Sequence, residues 1–227
     1  MLRKTKIVAT IGPSSEQVDV LTRLIEAGVD VCRLNFSHGT HEEHRQRIEN
    51  IREAGRRVGK DVGIMVDLRG PEIRIGTFEH GKIDLREGDL FTLTTEPCVG
   101  NQERVWVQYA GIVNDVTEGG YLLLDDGNLT FQAVEITPTE VRCRVIVGGT
   151  LSDRKKVNLP GTKVSLPALS DKDIEDIRFG VEMGVDFVAG SFIRKAEDVL
   201  HIRRVIEEAG GHQQIISKVE SQEGFDN

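Results

Sequence analysis

The chain has 227 residues, enough to bury a sizeable core in one large domain or in two smaller ones. Its formal net charge of −8 argues against a nucleic-acid binder or an acidic-membrane binder, because such proteins need a basic face. The three cysteines, Cys32, Cys98 and Cys143, lack CxxC spacing, and no apolar run reaches membrane-spanning length, which together predict reduced thiols and a cytoplasmic protein without membrane contact.

The first part of the chain alternates predicted strands and helices. Short apolar runs predict buried parallel strands, and capping residues followed by periodic apolar residues predict the helices between them. The first helix is expected to begin at a cap on Ser14 or Ser15, and the second at a capping box formed by Thr40 and Glu43. This alternation predicts a parallel α/β architecture. The predicted elements are a strand at 6–11, a helix ending at Gly28, a strand at 29–36, a helix ending at Gly59 and a strand at 62–68.

The pattern changes over residues 71–166, where no convincing helical period is found. Short alternating or apolar runs there are typical of strands, and Asp125–Asn128 is typical of a hairpin turn. Six or so short strands at regular spacing predict a small all-β barrel domain inserted into the α/β domain. The clearest of these predicted strands are 91–94, 105–109, 121–124, 131–136 and 141–147.

The α/β pattern resumes over residues 167–227. Ser170–Asp173 is expected to cap a helix, and strands are predicted at 186–192 and 215–220 around a helix at 196–209. Five parallel strands result, whereas an eight-stranded barrel needs ~250 residues without insertions and roughly 130 remain here once the insert is removed. We therefore expect a partial (β/α)8 TIM-type barrel formed by residues 1–70 and 167–227, truncated after its fifth strand.

Polar residues gather at the ends of the predicted strands, where a parallel barrel keeps its active site. Asn35, Ser37, Asp67 and a backbone carbonyl offer oxygen ligands that suit a hard cation. Arg33, Arg74 and Lys218 are predicted to converge as a positive pocket the size of a phosphate. The alternative for any single Asn, Ser or Asp at a strand end is a helix cap or turn cap.

Lys218 and Glu220 lie two residues apart, so on a strand their side chains would share one face. A carboxylate that holds a metal beside an ammonium that meets developing charge suits a metal-bound oxyanion. A plain ion pair between the two remains the alternative. Arg69, Glu72 and Arg74 could likewise be a solvated charged stretch.

Six segments follow one another along the chain: TKIVATIGPSS at 5–15, RLNFSHG at 33–39, DLRGPEIR at 67–74, KVNLPG at 156–161, DFVAGSFIR at 186–194 and SKVESQEG at 217–224. In this order they resemble the pyruvate kinase family. The resemblance implies a (β/α)8 barrel interrupted after its third strand by a mobile β-barrel lid. It implies phosphoryl transfer between phosphoenolpyruvate and ADP, giving pyruvate and ATP in glycolysis, with Mg2+ (or Mn2+) and K+, and a homo-oligomer, a tetramer, at full length.

The resemblance also implies roles for individual residues. Arg33 is similar to the arginine that contacts the substrate phosphate, Lys218 to the lysine that stabilises the transferring phosphoryl group, and Glu220 to the first magnesium carboxylate. The residues that match the potassium site are Asn35, Ser37, Asp67 and, through its carbonyl, Leu68. The residues that match nucleotide or phosphate contacts are Asn35, His38, Arg74 and Lys155.

The chain differs from the family's pattern in two ways, and one further residue bears on the potassium requirement. The family commonly has glycine at the position of Lys156, which leaves open whether Lys155 or Lys156 makes the contact. The family's second magnesium aspartate, a catalytic threonine and the C-terminal regulatory domain lie beyond Asn227, so we expect the chain alone to be inactive. Family members that work without potassium carry lysine at the position of Glu72, so this glutamate implies a potassium requirement unless it merely pairs with Arg69 or Arg74.

Two other functions remain open at this stage. One is a metal-dependent barrel aldolase or lyase that stabilises an enolate, against which the insert and the cluster of Asn35, Ser37 and Asp67 argue. The other is a non-catalytic fragment that only binds a ligand or a partner. Assays of carbon–carbon cleavage and of turnover separate these possibilities.

Overall fold

The computed structural model describes residues 4–227, which form two compact units. The first unit is Met1–Pro71 with Pro167–Asn227, and the second is Glu72–Leu166. Each unit has its own cluster of buried apolar side chains. Among residues 4–227, no helix combines the length and the apolar character that a membrane crossing would require.

The elements are numbered in chain order, and a 3-10 turn at Asp125–Gly127 separates β7 from β8. They are β1 (Val8–Thr10), α1 (Val18–Ala27), β2 (Val31–Asn35), α2 (His41–Val58), β3 (Gly63–Asp67), β4 (Lys82–Leu85), β5 (Leu90–Thr94), β6 (Arg104–Trp106), α3 (Ile112–Asp115), β7 (Tyr121–Leu124), β8 (Leu129–Ile136), β9 (Glu140–Val147), β10 (Gly149–Ser152), β11 (Val157–Asn158), α4 (Asp171–Glu182), β12 (Phe187–Gly190), α5 (Ala196–Glu208), β13 (Gln214–Ser217) and α6 (Gln222–Asp226).

The described part of the first unit contains a five-stranded, half-barrel sheet with the order β1-β2-β3-β12-β13, and every neighbouring pair is parallel. The predicted α/β architecture is therefore confirmed. Leu34 and Val66 are register partners whose fully buried side chains belong to the apolar core of this unit. Asn35 and Asp67 are the next partners at the carboxyl ends, so alternation places them together on the opposite face.

Local capping explains where the helices of this unit begin. Thr40 and Glu43 form the predicted capping box of α2, and Ser170 and Asp173 form another at the start of α4. The predicted cap on Ser14 or Ser15 is wrong, because α1 begins after Gln17, whose side chain makes no capping bond. The Ser15 hydroxyl instead donates to the Gly12 carbonyl (3.2 Å) and stabilises the turn that precedes the helix.

The second unit, all of which the structure describes, contains a six-stranded sheet ordered β11-β7-β8-β9-β5-β6 and an antiparallel pair of β10 with β4. Its core includes the completely buried rings of Phe91 and Phe131. β7 and β8 form an antiparallel hairpin around the predicted turn, where Asp125 and Asp126 adopt left-handed backbone angles. β4, β10 and β11 were not predicted from the sequence, and β6 ends at Trp106, earlier than the predicted strand at 105–109.

Candidate active site

The carboxyl ends of the parallel strands bring polar side chains together in the first unit. Thr10 ends β1 and is the register partner of Arg33 on β2, while Asp67 ends β3 and is the partner of Asn35. Parallel strands present their carboxyl ends at one edge of a sheet, so these residues lie close to the loops that follow β12 and β13.

Asp67 is the centre of this arrangement. Its carboxylate, 2% exposed, accepts a hydrogen bond from Arg33 Nε (2.7 Å), and Arg33 Nη2 contacts the same oxygen. Its other oxygen contacts Lys218 Nζ at 3.2 Å. The remaining Arg33 nitrogen, Nη1, donates to Thr10 Oγ1 at 2.7 Å. One buried carboxylate thus binds both of the cations that the sequence predicted to be catalytic, in keeping with the rule that buried charges are paired.

Lys218 and Glu220 meet beyond the end of their strand. β13 ends at Ser217, so the prediction that both residues lie on a strand and therefore share its face is wrong. Lys218 still continues the hydrogen bonding between β13 and β12, because its backbone N–H donates to the Gly190 carbonyl at 3.0 Å. Its Nζ lies 3.7 Å from Glu220 Oε1. The loop after the strand, rather than strand alternation, brings the ammonium and the carboxylate together.

The loop after β12 holds the other oxygen of Glu220. The backbone N–H of Phe192 donates to Glu220 Oε2 at 3.0 Å, and Phe192 has a left-handed backbone with φ of 55°. A bulky residue rarely adopts this conformation, which persists only where the surrounding structure holds it. The Ile193 N–H also donates to the Lys218 carbonyl (3.1 Å), so two successive amides of this loop bind the segment that carries Lys218 and Glu220.

The four charged side chains of this cluster carry no net charge, since Arg33 and Lys218 are balanced by Asp67 and Glu220. These four side chains alone therefore provide no surplus positive charge for a multiply charged anion. The predicted positive pocket also included Arg74, which belongs to the second unit, so its convergence with Arg33 and Lys218 stays a prediction.

The oxygen atoms predicted to bind a monovalent cation are able to do so. Asn35 Oδ1 accepts the Ser37 N–H (3.0 Å), and the Leu68 carbonyl accepts the Ser191 hydroxyl (2.7 Å), which leaves each oxygen a further lone pair. The Ser37 hydroxyl makes no hydrogen bond to any residue within 4–227. Neutral oxygens next to one shared carboxylate suit a weakly hydrated cation better than a transition metal.

Fewer side chains are placed to bind a divalent cation than a monovalent one. Within residues 4–227, no group of three His, Cys, Asp or Glu side chains is arranged to hold a metal ion. Glu220 offers a carboxylate at the edge of the cluster, which fits Mg2+ held through one carboxylate together with substrate oxygens and water.

Further predicted site residues lie in the second unit. Glu72, its side chain 4% exposed, binds Arg74 Nη2 (2.7 Å) and Lys156 Nζ (2.5 Å). Lys155 instead pairs with Asp125 at 2.6 Å. Lys156, not Lys155, therefore shares a carboxylate with Arg74, and Glu72 forms the ion pair with Arg74 that the sequence analysis kept as an alternative.

His38 follows β2 in the first unit and is exposed. Its carbonyl accepts a hydrogen bond from Nε2 of the buried His44 at 2.9 Å. Burial lowers the pKa of His44, which favours the neutral ring stacked on Phe36 at a centroid distance of 3.9 Å.

Ser191 and Thr10 both contact the predicted catalytic cations, although neither was predicted from the sequence to have a role. The only sequence feature that could have indicated them is a hydroxyl residue at the end of a strand, and this feature is too common to be specific. Cys32 and Cys143 lie in the apolar cores of the two units, where burial raises the pKa of Cys32 to about 11 and that of Cys143 to about 12. Both thiols therefore stay protonated and act as apolar packing groups.

Comparison with known proteins identifies the family. The family model described as "Pyruvate kinase, barrel domain" matches residues 2–227. The chain belongs to the pyruvate kinase family. This confirms the resemblance inferred from the six sequence segments.

Curated pyruvate kinases align with the whole of the chain. The pyruvate kinases of Bacillus licheniformis and Geobacillus stearothermophilus are each 49% identical to it, over 229 and 230 residues respectively. The pyruvate kinase of Staphylococcus aureus (strain USA300) is 46% identical over 228 residues. Each alignment covers 100% of this chain and 39% of the relative, so the chain spans well under half the length of these pyruvate kinases.

Proposed function

We propose that this chain supplies the phosphoryl-transfer site of a pyruvate kinase, acting between phosphoenolpyruvate and ADP to give pyruvate and ATP. The observation that carries this proposal is the convergence of Arg33 and Lys218 on the buried carboxylate of Asp67, with Glu220 beside Lys218. Membership of the pyruvate kinase family supports the same reaction.

The chain's own residues would act by positioning and electrostatics, as is usual for phosphoryl transfer. Arg33, held by Asp67 and Thr10, would bind the substrate phosphate through guanidinium donors. Lys218 would place its ammonium where negative charge develops on the transferring group. Because both cations already contact Asp67, their positions are set before the substrate binds.

Two bound cations would complete the charge of the site. Glu220 would hold Mg2+ (or Mn2+), and Asn35, Ser37, Asp67 and the Leu68 carbonyl would hold K+. When bound, these ions supply positive charge that offsets the phosphoryl and enolate oxygens. The net neutrality of Arg33, Lys218, Asp67 and Glu220 favours this requirement.

We also propose that Glu72–Leu166 is the inserted β-barrel lid of the family, with boundaries at residues 71 and 166. Its β-rich composition and separate core support a distinct domain. His38, Asn35, Arg74 and Lys155 are the proposed nucleotide or phosphate contacts, and the pairing of Lys156 with Glu72 makes Lys156 the alternative to Lys155. We expect a cytoplasmic homo-oligomer, a tetramer, at full length.

The reaction is tested on the complete natural protein, or on a chimera that joins residues 1–227 to the rest of the Geobacillus stearothermophilus relative. We expect ATP formation from phosphoenolpyruvate and ADP that stops when the divalent cation is chelated. A protein that folds but lacks this activity contradicts the proposal. Aldol cleavage by the same preparation would favour a barrel aldolase or lyase, and ligand binding without turnover would favour a binding module.

The potassium requirement is tested separately, by titrating KCl into buffer in which tetramethylammonium is the only other monovalent cation. We expect activity to depend on K+. Full activity without K+ would remove the proposed potassium site while leaving the reaction itself intact. The same titration is made with Glu72→Lys. This variant replaces the carboxylate that Arg74 and Lys156 share with a third cation.

A further inference from the structure

Ser191 lies immediately after β12 and is 5% exposed. Its hydroxyl donates to the Leu68 carbonyl at 2.7 Å and lies 2.8 Å from Lys218 Nζ. A serine hydroxyl has one hydrogen to donate, and here the Leu68 carbonyl takes it, because a carbonyl can only accept. The hydroxyl oxygen therefore presents a lone pair to Lys218.

Among the acceptors around the Lys218 ammonium, Ser191 is the closest. Asp67 Oδ1 lies at 3.2 Å and Glu220 Oε1 at 3.7 Å from the same nitrogen. Both carboxylates would draw the ammonium towards themselves, whereas the Ser191 oxygen is neutral and fixed by its own bond to Leu68. It can therefore set the direction of the ammonium without adding negative charge to the site.

The backbone around Ser191 leaves it little freedom to move. Gly70 has φ of 73°, and a Cβ added there would lie 2.8 Å from the Ser191 Cβ, so the loop after β3 packs directly against this residue. On the other side, Phe192 is held in its left-handed conformation with its N–H bonded to Glu220. The hydroxyl is thus placed by two loops of the site at once.

We propose that Ser191 is a positioning residue that links the Leu68 carbonyl to the ammonium of Lys218. This inference rests on the proposed function, in which the Leu68 carbonyl is a ligand of K+ and Lys218 meets the transferring phosphoryl group. A cation bound at that carbonyl polarises the group to which Ser191 donates. The position of Lys218 and the binding of the monovalent cation are therefore coupled through a single hydroxyl.

The test compares Ser191→Ala and Ser191→Cys with the parent, in the complete natural protein or the chimera described above. Cysteine has the shape of serine with a somewhat larger sulfur atom and is a weak hydrogen-bonding group, so it weakens the hydrogen bonds without opening a cavity. We expect both variants to lose about ten- to hundredfold in kcat, the range for a lost hydrogen bond to a charged group, with a much smaller change in KM for phosphoenolpyruvate. The KCl concentration for half-maximal activation should rise several-fold.

A second readout does not depend on turnover. The melting temperature of each protein is measured against KCl concentration, with tetramethylammonium chloride as the ionic-strength control, because a ligand of the folded state raises it. The midpoint of this stabilisation should move to higher KCl in the Ser191 variants. Thr22→Ala is the matched control, since Thr22 also donates to a backbone carbonyl (Val18, 2.8 Å) but lies in α1 and contacts no proposed site residue.

Failure of the inference can be distinguished from failure of the proposed function. A folded parent without phosphoryl transfer removes the proposed function. An active parent whose Ser191 variants keep its kcat and its KCl midpoints overturns the role of Ser191. A loss of kcat with unchanged KCl midpoints in both readouts overturns the coupling to the cation. Should Ser191→Ala fail to fold, Ser191→Cys decides by the same criteria.

Discussion

Asp67 holds the two predicted catalytic cations of the site in place. Its buried carboxylate is compensated by two cations, and each of these cations has a second partner, Thr10 for Arg33 and Ser191 for Lys218. Buried charges are stable only when they are paired and hydrogen-bonded, so the residues around Asp67 depend on one another. Side chains held in this way need little reorganisation when a substrate binds.

At the residue scale we predict that Lys218→Met greatly lowers phosphoryl transfer in the complete protein. The variant keeps the aliphatic stem but removes the charge beside Ser191, Asp67 and Glu220. Loss of one such electrostatic group costs on the order of 10²–10³ in kcat or more. Steady-state kinetics should show this loss with substrate binding largely retained. Lys195→Met, at an exposed lysine before α5, is the control, and near-parent turnover of the Lys218 variant would contradict the assignment.

A second prediction at this scale concerns Asp30, which precedes β2. The Ile7 N–H donates to Asp30 Oδ2 (2.9 Å) and Lys60 lies 3.2 Å from Oδ1, and these bonds lower the pKa of Asp30 to about 2. Because the folded-state pKa lies below the unfolded value of about 3.9, the carboxylate stabilises the fold above pH ~4 and loses this effect as the pH falls to about 2.

The measurement is an NMR titration of the Asp30 carboxyl group together with urea unfolding between pH 2 and 5. Asp30→Asn should remove the part of the pH dependence that belongs to this group. Asp84 is a useful comparison, since it bonds a hydroxyl, Thr150 Oγ1, instead of a backbone amide. An ordinary pKa for Asp30 would show that the bond to Ile7 does not stabilise its charged form.

At the scale of elements, the first turn of α4 connects both loops of the proposed potassium site. Lys172 Nζ donates to the Phe36 carbonyl (3.1 Å) and to Asp176 Oδ2 (2.6 Å). Asp173, completely buried, accepts the Gly70 N–H at 3.1 Å while its other oxygen completes the capping box with Ser170. The helix start therefore holds the loop after β2 and the loop after β3.

We predict that Asp173→Ala destabilises the protein by about 2 kcal/mol or more, because it removes a helix cap and leaves a buried amide without its acceptor. Glu43→Ala is the matched variant, since Glu43 occupies the same position in the capping box of α2 but is exposed, and its side-chain hydrogen bonds within residues 4–227 are to Thr40. Urea unfolding should show a clearly smaller loss for Glu43→Ala. Equal losses would mean that the bond to Gly70 adds nothing to the cap.

The elements that the sequence predicted well are those fixed by local chemistry. Both capping boxes depend on residues three positions apart, and buried parallel strands stand out as apolar runs. β11 spans only Val157–Asn158, and β10 forms only by pairing with β4, so neither has a pattern of its own. β13 ended earlier than predicted because strand ends depend on partners that lie far away in the sequence.

The site was predicted less completely than the fold for a related reason. Strand ends indicated Arg33, Asp67, Lys218 and Glu220 as site residues, since a parallel sheet brings its carboxyl ends together. Asp67 is shared between two cations, and the Ser191 hydroxyl is shared between Lys218 and Leu68. These contacts join residues that lie between 27 and 151 positions apart in the chain. Spacing along the sequence carries no information on such contacts.

At the scale of the whole molecule, the two units have separate cores, and the sheet of the first unit has β1 and β13 at its edges. Apolar side chains are exposed on β1 and in the segment that follows β13, including Val8 (50%) and Phe225 on α6 (79%). Unpaired strand edges bind other strands, and exposed apolar surface favours association.

We therefore predict that a polypeptide of residues 1–227 self-associates and shows no pyruvate kinase turnover. Size-exclusion chromatography with light scattering should give a mass that rises with protein concentration. Val8→Lys and Phe225→Ser should reduce this association, because a charged edge and a smaller apolar surface disfavour pairing. Val147→Lys, at an exposed position of β9 in the second unit, is the control and should leave it unchanged. A monomer at all concentrations would contradict the predicted association and would show that the strand edges are protected. Turnover by this polypeptide would contradict the predicted inactivity and would show that its own residues suffice for the reaction.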